Sequence, residues 1–120
     1  MARQSLSFPK ARRLQRAPEF DRVRREGRLH RGSKLALSLI VNAGSGDFRA
    51  GFITSRRIGS AVMRNRVRRR LREIVRRHQH ELIAGVWIVT IARAAAVGAT
   101  YQQLEDEWLR LAKRAFILAA

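Results

Sequence analysis

The sequence predicts a single α+β domain, an α/β sandwich in the order α-β-β-β-α-β-α around a mixed four-stranded sheet. Three observations predict it. Apolar residues alternate with a period of two over residues 34–42, and they recur at helical spacing over 61–82 and 100–118. The 120-residue chain is 46% hydrophobic, enough for one modest core. Cysteine is absent, which excludes disulfides, zinc-thiolate sites, iron–sulfur clusters and thiol catalysis, so packing must hold the fold.

The chain opens on a basic stretch, residues 1–16, expected to be a flexible arm of the domain. It has no continuous apolar run and so is no secretory signal, although its Arg- and Ser-rich, acid-free character resembles a mitochondrial transit peptide. A short helix is expected from Pro18 to Arg25, with Pro in the first turn, Glu19 and Asp21 near the positive end and Gly27 as a stop. Arg28 to Gly32 reads as a short edge strand. Lys34 to Asn42 reads as a strong strand, with Leu35, Leu37, Leu39 and Val41 on one face and Ala36, Ser38 and Ile40 on the other. Ala43 to Asp47 is expected to be a hairpin loop leading to a strand from Phe48 to Ser55. Gly44 and Gly46 form a G-x-G fragment, but strand-like sequence follows it, so no helix N-terminus is there to receive a phosphate.

A long helix is expected from Ser60 to His80, closed by Gly85, then a strand from Val86 to Arg93 and a final helix from Thr100 to Leu118. The last has Thr100 as N-cap, Glu105, Asp106 and Glu107 as helix-end charges, and Tyr101, Leu104, Trp108, Leu111, Ala115 and Leu118 at helical spacing. Leu82 to Ala99 is non-polar apart from Arg93, but that charge, two glycines and the Trp-Ile-Val-Thr-Ile run favour a strand over a membrane span. A cytoplasmic protein without a membrane partner is expected.

Charge points to the partner. The chain carries 26 Lys+Arg against 9 Asp+Glu, a formal net charge of +17, and residues 81–120 contribute none of the excess. Such a surface fits a polyanion. On a helical wheel Met63, Val67, Leu71, Ile74, His78 and Leu82 form an apolar stripe, while Arg64, Asn65, Arg68, Arg69, Arg72 and Arg76 share a polar face flanked by Arg66, Arg70, Glu73 and Arg77. Eight arginines between positions 64 and 77 are offset by Glu73 alone. Solvated helices interleave Glu with Lys, whereas repulsion among Arg64, Arg68, Arg72 and Arg76 destabilises this one until phosphates neutralise it.

Residues 56–73, RRIGSAVMRNRVRRRLRE, closely resemble the signature of the bacterial ribonuclease P protein family: two basic residues, then I-G-x-A-V-x-R-N-R and further spaced cations. P-E-F-x-x-V-x-x-x-G over Pro18 to Gly27, W-I-V-x-I-A-R over Trp87 to Arg93 and T-Y-x-x-L from Thr100 extend the resemblance over nearly the whole chain. The resemblance implies a left-handed β-α-β crossover, against the usual right-handed preference. It also implies a protein partner, one copy per RNA, for a large catalytic RNA that removes the 5′ leader of precursor tRNA by hydrolysis. That RNA and its bound magnesium would perform the chemistry, with no small-molecule cofactor on the protein.

Carried over residue by residue, the resemblance places Arg64, Asn65, Arg66, Arg68, Arg69 and Arg72, with Arg76 on the same face, against the RNA subunit. It places Phe20, Arg24, Arg56 and Arg57 at a cleft for single-stranded leader. Phe20 equally reads as a core residue packing with Val23, and one ring can do both. Where relatives carry further aromatics, this sequence has Arg24 and Ser38, so leader binding should depend more on phosphate contact than on stacking. Glutamate at Arg64, Arg68 and Arg72 should abolish assembly and leave the fold intact. No residues of the chain are expected to be catalytic or to bind metal: His78 and His80 diverge on a helix, and no carboxylates cluster for two metals. A general RNA-binding protein, and after it a DNA-binding one, are the alternatives that composition alone leaves open.

Overall fold

The computed structural model describes Phe8 and residues 10–44 and 46–119. Its first helix, α1 (Ala17–Glu26), begins with Pro18 in the first turn. The Glu19 carboxylate accepts from the backbone N–H groups of Gln15 and Arg16 at 3.1 and 3.0 Å, satisfying donors at the positive end of the helix. The Gly27 N–H then donates to the Val23 carbonyl at 2.8 Å and ends it. A Cβ on Gly27 would lie 2.3 Å from that oxygen and 2.8 Å from the Leu39 carbonyl, so only glycine lets the chain turn this close to the sheet.

The strands are β1 (Arg28–Arg31), β2 (Leu35–Ile40), β3 (Arg49–Ile53) and β4 (Trp87–Ala92), with α2 (Ala61–His78) between β3 and β4 and α3 (Tyr101–Arg114) after β4. They form one mixed sheet in the order β1-β2-β4-β3, antiparallel except for the parallel β3–β4 pair. The expected element order is therefore present, but the expected hairpin is not. β4 lies between β2 and β3, pairing Ser38 with Val89 and Val89 with Gly51, so residues 41–48 connect two strands that do not touch. The run Ile88-Val89-Thr90-Ile91 is covered on both faces, and a strand so buried takes the centre of the sheet with partners on both edges.

Two helices cover one face. Leu35, Leu37, Leu39, Ala50 and Ile88 pack with Val67, Leu71 and Ile74 of α2 and with Leu104, Trp108 and Leu111 of α3. The buried Trp108 indole N–H donates to the Thr90 hydroxyl at 3.1 Å, which removes the cost of placing polar atoms there. α1 and the segment before it cover the other face, where Val23 meets Leu14 and Val89, with Phe20, Ile40, Trp87 and Ile91 at the edge of that cluster.

Several boundaries differ from expectation. Phe8 and Leu14 are buried, Phe8 stacks on Phe48 at 6.1 Å, the Leu14 N–H donates to the Ala50 carbonyl at 2.9 Å, and Arg12 pairs with Asp47 at 2.9 Å. The arm expected to be flexible over 1–16 is thus packed on the domain at Phe8 and over 11–14, because its apolar residues find the core; residues 1–7 and 9 lie outside the described residues. Val41 falls beyond β2 and is 49% exposed. α2 ends at His78 and a 3-10 turn, Gln79–Glu81, follows, so Leu82 is buried off the helix; Met63 is 44% exposed, and Val75 completes the stripe instead. α3 stops at Arg114, after which Leu118 bridges Leu82. Glu105 and Glu107 are buried, not solvated helix-end charges. No helix among the described residues is long and apolar enough to cross a membrane.

Candidate nucleic-acid interface

α2 starts at Ser60, whose hydroxyl accepts the Met63 N–H at 3.3 Å, and no acid lies in its first turn. Arg56 and Arg57, exposed in the 3-10 turn Arg56–Ile58, therefore stand just before an uncompensated positive helix end. Val67, Leu71, Ile74 and Val75 face the core, and the opposite side carries Asn65, Arg66, Arg69 and Arg72, all exposed. Val62, Asn65, Arg66, Arg69 and Arg70 line an open groove of about 470 Å³ along it. Val62, 69% exposed, adds an apolar side chain to this lining that the wheel could have found, since it lies opposite the buried stripe.

The seven residues assigned from sequence to the RNA subunit do not form one uniform face. Arg68 donates to the Asn65 amide oxygen at 3.1 Å and to the hydroxyl of buried Thr54. Arg76 pairs with Glu73, and that hydrogen bond holds the Glu73 carboxyl below the usual carboxylate range in spite of partial burial. Arg64 is half-buried, with its Nε out of solvent and unpartnered among the described residues. Arg70, on the flank, donates to the Ala99 carbonyl at 2.9 Å. Of the arginines assigned from sequence to the RNA subunit, Arg66, Arg69 and Arg72 are the ones left open to solvent.

Between α1 and the sheet lies a cavity of about 350 Å³, lined by Phe20, Asp21, Val23, Arg24, Leu29, Ser38, Ile53, Val89 and Ile91. The half-buried Phe20 ring lies against the backbone of Gly51, where a Cβ would come within 2.6 Å of Cε1 and Cζ. Phe20 packs with the Leu14–Val23–Val89 cluster, as the core reading expects, and the same ring also walls the cleft. Arg24 sits at the rim, paired with Asp21 at 3.2 Å. Arg56 and Arg57 do not line the cavity; they follow β3 three to four residues after Ile53, which does. Leu29, Ile53 and Asp21 were missed from sequence, because strand pairing brings the first two to the cleft.

Arginine also fixes α1 over the sheet. The guanidiniums of Arg22 and Arg49 lie 5.1 and 5.4 Å from the Trp87 ring centroid, Arg22 donates to the Ala43 carbonyl at 3.0 Å, and Arg49 pairs with Glu19 at 2.8 Å. Burial would raise the Glu19 carboxyl, but its backbone donors and Arg49 outweigh that and hold it below the usual range. Both ring nitrogens of His78 are engaged, by Glu81 and by Glu105 at 3.0 Å, so His78 ties α2 to α3. Among the described residues no group of three His, Cys, Asp or Glu could hold a metal.

Comparison with known proteins gives one family. The family model described as Ribonuclease P matches residues 8–116. The ribonuclease P protein component of Chloroflexus aurantiacus is 42% identical over 112 residues, 92% of this chain and 82% of that protein. That of Brevibacillus brevis is 33% identical over 109 residues, 91% of this chain and 86% of the relative. The Staphylococcus aureus RNase P protein superposes with a TM-score of 0.83 at 28% identity, covering 90% of this chain and 98% of that one. The Thermotoga maritima protein, in complex with 1-(4-fluorophenyl)-2-thiourea, gives 0.73 at 27% identity, covering 80% and 92%.

Proposed function

The chain belongs to the bacterial ribonuclease P protein family, and from that membership we propose that it is the protein component of a ribonucleoprotein that removes the 5′ leader of precursor tRNA in the cytoplasm. The observation that carries the reading is the row Arg66, Arg69 and Arg72, open to solvent on a helix whose one acid, Glu73, is already engaged by Arg76. Three unneutralised cations on one helix face repel one another in the free protein, and the phosphates of a catalytic RNA relieve that repulsion.

The cleft takes the leader. Its apolar floor and the Phe20 ring accept a base without reading its identity, and Arg24, Arg56 and Arg57 accept phosphates along a line running from the cleft to the start of α2. Held this way, the scissile end of the substrate lies beside the RNA subunit, and the protein lowers the repulsion between two polyanions. The RNA supplies hydrolysis with its own magnesium, so the protein's contribution is positioning and charge, one protein to one RNA, with less magnesium required.

The test is cleavage of a 5′-labelled precursor tRNA by a bacterial ribonuclease P RNA at low magnesium, with the chain, without it, and with the chain alone. Cleavage at the mature 5′ end by the mixture only is the expected result. Binding to many RNAs without any such enhancement would replace this reading with that of a general RNA-binding protein.

A further inference from the structure

The end of α3 carries a residue that nothing in the folded chain favours. The Ile117 N–H donates to the Ala112 carbonyl at 3.2 Å and the Phe116 N–H to the Lys113 carbonyl at 3.1 Å, the two bonds of a Schellman cap. Phe116 holds its left-handed position at φ 59°, a place that glycine takes without strain and a bulky residue rarely does. Its ring is 87% exposed, so packing does not repay the conformation, and the buried Ile117 already supplies the apolar contact of the cap. Backbone preference and burial both argue for glycine here, and the chain has phenylalanine.

The ring is not alone. Arg110, Lys113 and Arg114 are exposed on the last two turns of α3, and among the described residues none has a carboxylate at ion-pair distance. An exposed ring bordered by unpaired cations suits one chemistry, an unpaired nucleotide whose base stacks on the ring while its phosphate meets the guanidinium groups. A second copy of a chain charged +17 would bring more cations to the same spot, which disfavours self-association.

Location selects the RNA. The Ile83 N–H donates to the Ile117 carbonyl at 2.9 Å and Leu118 bridges Leu82, so the patch is fastened beside the segment that leaves α2. The cleft read as the leader site lies under α1 on the other face of the sheet, whereas this patch sits on the face that carries α2 and α3. We propose that Phe116, with Arg110, Lys113 and Arg114, is a second contact for the RNA subunit, stacking on one of its unpaired bases. This rests on the reading that the RNA subunit lies along α2.

The experiment measures the affinity of the full chain for a bacterial ribonuclease P RNA, with thermal unfolding in parallel. The Phe116→Gly variant should unfold at the same or a higher temperature, because glycine suits the cap, yet bind the RNA about tenfold more weakly, as expected for one lost stacking contact. Phe116→Trp should restore affinity, and its added fluorescence over the unmodified chain should be quenched by the RNA. Unchanged affinity of Phe116→Gly overturns the proposal, as does a loss confined to precursor tRNA binding by the assembled particle. An Arg66→Ala/Arg69→Ala/Arg72→Ala variant separates the readings. If it loses affinity while Phe116→Gly does not, only the second contact fails; if neither loses affinity, the docking of RNA along α2 fails with it.

Discussion

Replacing Glu107 should unseat the β1–β2 turn. This buried carboxylate of α3 accepts the backbone N–H groups of Lys34 and Leu35 at 2.7 and 2.6 Å on one oxygen and the Ser33 hydroxyl at 2.9 Å on the other, with the Lys34 ammonium 3.9 Å away. Glu107→Ala leaves two backbone donors without an acceptor and opens a void, about 3–5 kcal/mol in all. At about 4 °C per kcal/mol for a chain of this size, the midpoint of thermal unfolding should fall by roughly 12–20 °C. Glu107→Gln can keep its carbonyl on the two N–H groups and loses only the charge, about 1–2 kcal/mol. Burial would raise the carboxyl, but the Ser33 hydroxyl and the backbone donors of Lys34 and Leu35 outweigh it and hold the group below its ordinary value of 4.5. The folded state therefore binds this proton less readily than the unfolded chain. The resulting stability is fully present above about pH 5 and is lost as pH falls through the lowered folded value. Unfolding followed by circular dichroism from pH 7 to pH 3 should show the gap between wild type and Glu107→Gln closing with acid. A gap that stays constant, or a Glu107→Ala variant within 2 °C of wild type at pH 7, would refute the reasoning.

The Arg66→Ala/Arg69→Ala/Arg72→Ala variant should keep its unfolding midpoint within the ~0.5 kcal/mol typical of surface changes, while affinity for the RNA subunit falls and the salt slope flattens by up to about 0.9 per lost phosphate contact; filter binding across potassium concentrations reads both. Gly51→Ala puts a methyl group into the Phe20 ring, so it should cost about 1–3 kcal/mol and weaken binding of leader-bearing precursor tRNA without altering affinity for the RNA subunit, seen by comparing substrates with and without a leader. Leader affinity should fall steeply with salt and only modestly with Phe20→Ala; a shallow slope together with loss of leader binding in that variant would reverse the weighting of cations over stacking. Arg68→Ala should lower stability by about 1–2 kcal/mol, because the buried Thr54 hydroxyl loses its donor, as measured by urea unfolding.

The elements were legible in the sequence where their causes are local. Thr100 caps α3 as read, α2 starts at Ser60 as expected, and Pro18 and Gly27 bound α1, because each acts within a turn of its own position. Sheet order is a different quantity. Ala43 to Asp47 has the composition of a hairpin, yet what decides strand order is that Val89 pairs on one edge with Ser38 and on the other with Gly51, 51 and 38 residues away in the chain. Turn chemistry permits a hairpin; burial of β4 on both faces forbids it. The end of α3 misled for the same reason, since Leu118 keeps helical spacing in the sequence but pairs with Leu82 in the fold.

The site was legible as a charge and not as a set of contacts. A helical wheel gives Arg64, Arg66, Arg68 and Arg76 the same chemistry, and the fold gives them four different situations: half-buried, open to solvent, bonded to Thr54 and paired with Glu73. Glutamate at Arg64, Arg68 and Arg72 should therefore cost stability, where sequence reasoning expects the fold to be untouched. At Arg64 it would bring a carboxylate toward the core edge, and at Arg68 it would remove the donor to Thr54. A loss of RNA binding in that variant would mix unfolding with lost contact. The same reversal at Arg66, Arg69 and Arg72 meets neither obstacle, because all three side chains point away from the packed stripe. A loss there reads the interface alone.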